Sequence, residues 1–181
     1  LGLAFNPTNW LQLPQAIAEN NPITLTLAGI GILVLAWCWF KLARHLTHYS
    51  QHIAPRIGKV TQDKFSLTSR LLVRSLLASL PLPAMVLMVH GLLDGAWQYP
   101  FAVAVARGLS EIWFLLLALL MARHLTLEKG ILILHFRWQK EWVQKVWSQF
   151  RTLLLVIIPS FFVQGMANSY QEHAFYDSLG R

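Results

Sequence analysis

Residues 23–43 read ITLTLAGIGILVLAWCWFKLA, an apolar run that follows Asn20-Asn21-Pro22 and meets its first charge at Lys41. A helix rises about 1.5 Å per residue, so a run of this length crosses the roughly 30 Å hydrocarbon core of a bilayer. Three further stretches have the same character: about 71–93, 101–122 and 152–170. Pro81 and Pro83 interrupt the second, and Pro159 lies inside the fourth. Proline removes a backbone hydrogen bond and bends a helix, which neighbouring helices in a membrane can accommodate. These three prolines are therefore candidate helix bends.

The composition agrees. The 181 residues are 55% hydrophobic and 13% charged, against about 25% charged in an ordinary globular domain. Mean hydropathy is +0.46. A soluble surface could not be covered with so little charge. The expected fold is all-α: a polytopic membrane bundle of about four transmembrane helices plus a cytoplasmic amphipathic helix. The net charge of +7 would suggest nucleic acid in a soluble protein. Here the basic residues fall in two blocks between apolar runs, so the partner implied is anionic lipid and no nucleic acid is expected.

Those blocks set the orientation. Residues 1–22 hold no Lys or Arg. The first connection carries Arg44, Arg56, Lys59, Lys64 and Arg70, with Lys41 at its edge. The second is short and holds only Asp94. The third carries Arg123, Lys129, Arg137, Lys140, Lys145 and Arg151, and the tail has Glu172, Asp177 and Arg181. Basic connections stay in the cytoplasm, so both ends are expected to be periplasmic, in a multi-pass protein of a bacterial inner membrane. Residues 1–22, with Trp10, Leu11, Leu13 and Ile17, read as a periplasmic interfacial lead-in, and 23–181 as the membrane domain. The chain starts at Leu1 with no secretory signal before the first apolar run, as expected of a piece of a longer protein. Cys38 is the single cysteine, so neither an internal disulfide nor a cysteine-based zinc site can form within the chain.

Several polar groupings invite a role. Arg107 and Glu111 lie four apart in the third span, on one helical face, with Glu111 roughly 15 Å deep. They form a candidate intramembrane polar pair, read either as a gating or ion-pathway element or as a mutually neutralised pair that fixes packing. Ala104 and Gly108 beside them make a small-xxx-small strip that permits close helix approach. Arg74 sits where its side chain can snorkel to the cytoplasmic interface. His90 and Asp94 form a hydrogen-bonded or proton-sensitive pair. His45, His48 and His52 make one stripe if the first helix continues; no Cys stands near it, and a polar stripe rather than a metal site is expected. The Ile57-Gly58-Lys59-Val60-Thr61 stretch lacks the earlier glycine of a phosphate loop, since position 53 is Ile. The hydroxyls Ser75, Ser79, Ser110 and Ser160 find no matching His and carboxylate, so no catalytic set and no cofactor are expected.

The third connection carries more. Trp138, Trp142, Val146 and Phe150 recur every four residues, and Val143 and Trp147 thicken the stripe. Arg137, Lys140 and Lys145 occupy other faces. The candidate lipid-interface helix thus comprises Arg137, Trp138, Lys140, Trp142, Lys145 and Trp147. It suits the inner leaflet and equally suits packing against the rest of the protein.

Gly130, His135, Phe136 and Trp138, then this helix, a span with Pro159, and Ser178-Leu179-Gly180-Arg181 together resemble the inner-membrane domain of the large MscS-like mechanosensitive channels, of the MscK and MscM type. The resemblance implies a large periplasmic region before Leu1 and further membrane helices after Arg181, among them the pore-lining one. It also implies a heptamer that opens under membrane tension and releases solutes on hypo-osmotic shock. The chain would then be a non-pore, tension-sensing and lipid-contacting domain, not an enzyme. The alternatives are the membrane domain of an enzyme or transporter, for which His90, Asp94, Arg107 and Glu111 are the available polar groups, or of a scaffold.

Overall fold

The computed structural model of the chain describes residues 7–53, 65–127, 131–134 and 136–179. Among them every regular element is a helix: α1 Pro7–Trp10, α2 Gln12–Ala18, α3 Pro22–Ile53, α4 Phe65–Ser79, α5 Pro81–Asp94, α6 Pro100–Leu125, α7 Ile131–Leu134 and α8 Lys140–Leu179. Among the described residues four stretches are long and apolar enough to cross a membrane: Pro22–His45, Thr68–Asp94, Pro100–Leu125 and Lys140–Ser169. The all-α polytopic bundle expected from the sequence is the fold observed.

Local chemistry explains the helix ends. The Ile23 amide donates to Asn21 Oδ1 at 2.9 Å, so Asn21 caps α3 and Pro22 occupies the first position, where no amide hydrogen is needed. Pro100 opens α6 in the same way. At its other end Thr126 donates its hydroxyl to the carbonyls of Ala122 and Arg123. Pro81 and Pro83 fall in the first turn of α5, and the second span is accordingly divided at Leu80. Two buried hydroxyls precede this break: Ser75 donates to Leu71 O and Ser79 to Ser75 O, each at 2.8 Å. Hydroxyls bonded back four residues also loosen and bend a helix.

Pro159 behaves differently. It lies inside α8, which continues unbroken on both sides of it. The amphipathic segment and the fourth span, expected as two helices, are one helix of 40 residues, about 60 Å long. No Gly or Pro stands between Lys140 and Pro159 to end the first segment.

The chain divides into two compact units. The first comprises Leu1–Val34, Ala84–Phe114 and Ile157–Arg181; the second comprises Leu35–Pro83 and Leu115–Val156. The core of the first unit gathers Ala16, Leu93, Phe101, Ala102, Ala104, Val105, Ala106 and Met166, with Leu13, Ile17 and Phe162 against it. The second unit has a smaller cluster of Leu71, Ala78 and Ile131, with Leu42 and Leu125. Along α3 the side chains of Ile23, Leu27, Ile30, Leu33, Val34, Trp37 and Phe40 are exposed. A monomer in water does not leave such an apolar surface open, and lipid or further protein covers it in a membrane.

Candidate functional site

In the first unit, α6 and α8 cross where both carry glycine. A Cβ added at Gly108 would stand 2.8 Å from the carbonyl oxygen of Phe162, and one added at Gly165 would stand 3.0 Å from Gly108 Cα and from Arg107 O. Backbone is therefore packed on backbone. The Ala104–Gly108 strip anticipated half of this crossing. Its partner, Gly165 with the buried Ser169 four residues on, is a second small-xxx-small strip, and that spacing was the signal available in the sequence.

The polar groups beside the crossing are paired differently from their sequence spacing. Arg107 Nε lies 3.9 Å from Asp94 Oδ1, with the two side chains 53% and 44% exposed. Glu111, one turn along α6, makes no ion pair with Arg107; its Cγ lies against Gly165. His90 does not bond Asp94: its Nδ1–H donates to the carbonyl of Ala106 at 3.0 Å, which fixes the tautomer. The Arg107–Asp94 and His90–Ala106 contacts join α5 to α6, and the Glu111–Gly165 contact joins α6 to α8. The i, i+4 rule places Arg107 and Glu111 on one face, but α5 offers the guanidinium a nearer carboxylate.

The lead-in is folded onto the same unit. Asn20 donates to Ala16 O and Ile17 O, closing α2, and to Leu92 O of α5 at 2.9 Å. Gln12 Oε1 accepts from the Phe101 amide at 3.3 Å. Trp10 meets Phe101 edge to face, with centroids 5.2 Å apart. Tyr99 donates to Glu19 Oε1 at 2.5 Å. That hydrogen bond, then burial, then the Glu19 charge raise the phenol's pKa above its ordinary value. Gln12 and Asn20 carried no sequence signal, because their partners are 89 and 72 residues away.

In the second unit the candidate lipid-interface segment has two faces. Trp138, Trp142 and Val146 are exposed, while Val143 is buried and Trp147 and Phe150 are partly so. A spacing of four advances about 40° per step around a 3.6-residue helix, so a stripe recurring every four residues winds from one face to another. Lys145 lies over the ring of Trp142, 6.0 Å from its centroid. Lys140 opens α8, with Glu141 in its first turn. Just before it, Arg137 holds φ at 52°, in a turn closed by Phe136 N–H to Ile131 O at 3.4 Å and Trp138 N–H to Leu132 O at 3.1 Å.

The remaining candidates find ordinary surroundings. Arg74 Nη1 lies 3.5 Å from His45 Nε2, and α3 does continue past His48. No group of three metal-ligating side chains occurs among the described residues. Ser110 donates to Arg107 O within its own helix. The 57–61 stretch, Gly130, His135, Gly180, Arg181 and the side chains of His52 and 170–179 lie outside the described residues.

Comparison with known proteins places these features. The family described as mechanosensitive ion channel inner membrane domain 1 matches residues 27–181. The miniconductance mechanosensitive channel MscM of Escherichia coli (strain K12) is 32% identical over 151 residues, which cover 83% of this chain and 14% of that protein. No solved structure matches the chain. Helices α1 and α2 precede the matched region.

Proposed function

This chain belongs to the family of mechanosensitive ion channel inner membrane domains, and on that premise we propose that it is the non-pore, tension-sensing and lipid-contacting part of a channel that releases solutes on hypo-osmotic shock. The chain is a multi-pass inner-membrane domain of an MscS-like protein. It spans about a seventh of its relative's length, so pore, vestibule and conduction are assigned to the rest of the protein. In this reading the channel is a homo-heptamer, both ends of the chain are periplasmic, and the protein is not an enzyme.

The observation that carries the proposal is α8. On one unbroken helix the outward Trp142 and Val146 lie among cations, one turn after the exposed Trp138 that precedes it, while Val143 and Leu154 are buried. Tryptophan and cations suit the headgroup layer of an anionic leaflet. Because the same helix continues as the fourth span, a change in the tilt of the span is also a change in the Trp-bearing segment. Mismatch between span and bilayer costs fractions of a kcal/mol per ångström, which supports a response to tension-driven thinning. The break at Leu80 offers further compliance.

The test is patch-clamp of the full-length protein under graded suction, in cells that lack their own mechanosensitive channels. Stepwise conductance is expected at a reproducible tension, and Trp138→Ser with Trp142→Ser is expected to shift that tension. An unchanged threshold at normal surface expression would remove α8 from the sensing role, and silence up to rupture would remove the channel reading itself. A reporter fused after Ser178 should be active only on the periplasmic side.

A further inference from the structure

In the second unit, α3 and α6 enclose a cavity of about 210 Å³. Its polar lining is basic: Arg44 from α3, and Arg123 and His124 from α6. Its apolar lining includes Trp39, Phe40 and Leu120. Among the described residues no carboxylate lines it. Both ring nitrogens of His124 are buried and make no hydrogen bond. A buried imidazole left unpartnered costs free energy that a ligand would recover.

Position adds to this. Arg44 follows the apolar run of α3 and Arg123 that of α6. Long basic side chains at the end of such a run extend toward the level where hydrocarbon gives way to headgroups. The C-terminus of α6 carries a partial negative charge of about 0.5, which opposes an anion. Two full positive charges outweigh it, and the amide and hydroxyl of Thr126 already donate to the last-turn carbonyls, the amide to Ala122 O and the hydroxyl shared between Ala122 O and Arg123 O. Guanidinium forks match the geometry of phosphate oxygens. The volume is several times the roughly 30 Å³ share of one water, enough for a tetrahedral anion together with part of what it is esterified to, and Trp39 and Phe40 provide an apolar surface for the rest.

We propose that Arg44, Arg123 and His124 form a phosphate-binding pocket, with the two guanidinium groups clamping the anion and a His124 ring nitrogen donating to a phosphate oxygen. The ligand is a phosphodiester headgroup of a membrane phospholipid or a free phosphate, which share this chemistry. The proposal is independent of tension sensing, because its readout is occupancy and not conductance.

Full-length protein is extracted in mild detergent, and phospholipid retained per protomer is counted by native mass spectrometry. A second sample, stripped of lipid, is dialysed against radiolabelled orthophosphate. Wild type is compared with Arg44→Gln, Arg123→Gln, the double variant, and Arg44→Lys with Arg123→Lys, which keeps the charge but not the fork. Retention is expected to weaken about tenfold for each Gln substitution and less for Lys. Loss confined to phospholipid assigns the lipid headgroup, and loss confined to orthophosphate assigns the free anion. Equal retention of both by wild type and the double variant overturns the proposal. If the double variant fails to fold, the single Gln variants decide by the same criterion.

Discussion

The two units of this chain are built on opposite principles. The second carries all of the fifteen basic residues except Arg107 and Arg181, while Glu19, Asp94, Glu111, Glu172 and Asp177 belong to the first. The first unit has a glycine-to-glycine crossing, a core of small and aromatic side chains, and a lead-in tied down by Gln12, Asn20 and Tyr99. The second has a three-residue core cluster, a cavity beside an unpartnered imidazole, and tryptophans turned outward. Close packing in lipid comes from small residues and satisfied polar groups, since lipid tails give helices no hydrophobic reason to associate. Both units leave apolar surface for something else to contact, Ile23 to Val34 in the first and the tryptophans in the second; the contrast teaches that only the first also fixes helix geometry by close backbone contact within itself.

The contrast can be broken most easily at the crossing. Gly165→Leu must displace backbone, and we expect it to abolish folded protein in the membrane, seen as lost yield and lost monodispersity. Gly29, in the same unit with nothing near its Cβ position, should accept Leu. Equal damage at both sites would refute the crossing. Next in size is a matched pair of truncations. Phe101 is 1% exposed and Phe40 is 60% exposed. Phe101→Ala should cost about 3 kcal/mol through its cavity, and Phe40→Ala less than about 1 kcal/mol, by thermal unfolding in one detergent. Similar losses would remove the distinction between the units.

Smaller effects sharpen it. Asn20→Ala leaves Leu92 O and the α2 terminus without their donor and should cost about 1–2 kcal/mol. At the second unit's turn, Arg137→Val should cost about 1–2 kcal/mol more than Arg137→Gly, because only glycine adopts φ of 52° freely. The smallest is a titration. The Tyr99 pKa is higher folded than unfolded, so its contact with Glu19 contributes fully below pH about 10 and is lost as pH rises through the folded value. Ultraviolet titration should show Tyr99 ionising later than free tyrosine, and Glu19→Gln should bring it back toward the ordinary range. No change would mean that the contact does not persist in solution.

Much of this was legible in the sequence. The spans showed because a bilayer demands about 20 apolar residues in succession, and the break near Leu80 showed because prolines are tolerated in the first turn of a helix but not in the interior of one running through from Leu71. The merging of the amphipathic segment with the fourth span did not show, since it depends on the lack of a breaker and not on a signal. Arg107 illustrates the general difficulty. Its neighbour by helical spacing is Glu111, yet its ion pair is with Asp94 of another helix, and periodicity within one helix says nothing about what an adjacent helix presents. His124 was not singled out because nothing local distinguishes a buried imidazole from a snorkelling one. The family resemblance, carried by the motif from Gly130 to Trp138 and the closing Ser-Leu-Gly-Arg, held.

The length of α8 has a geometric consequence. A rod of about 60 Å crossing a layer of about 30 Å acts as a pointer. A change of about 10° in its inclination sweeps one end sideways by roughly 10 Å relative to the other. Thinning of the layer too slight to uncover a single helical turn would thus be written at the Lys140 end as a displacement the size of a helix diameter. In the proposed sensing role, the continuity of the helix past Pro159 would set the gain of that readout, and a flexible joint placed between residues 150 and 156 would set it to zero.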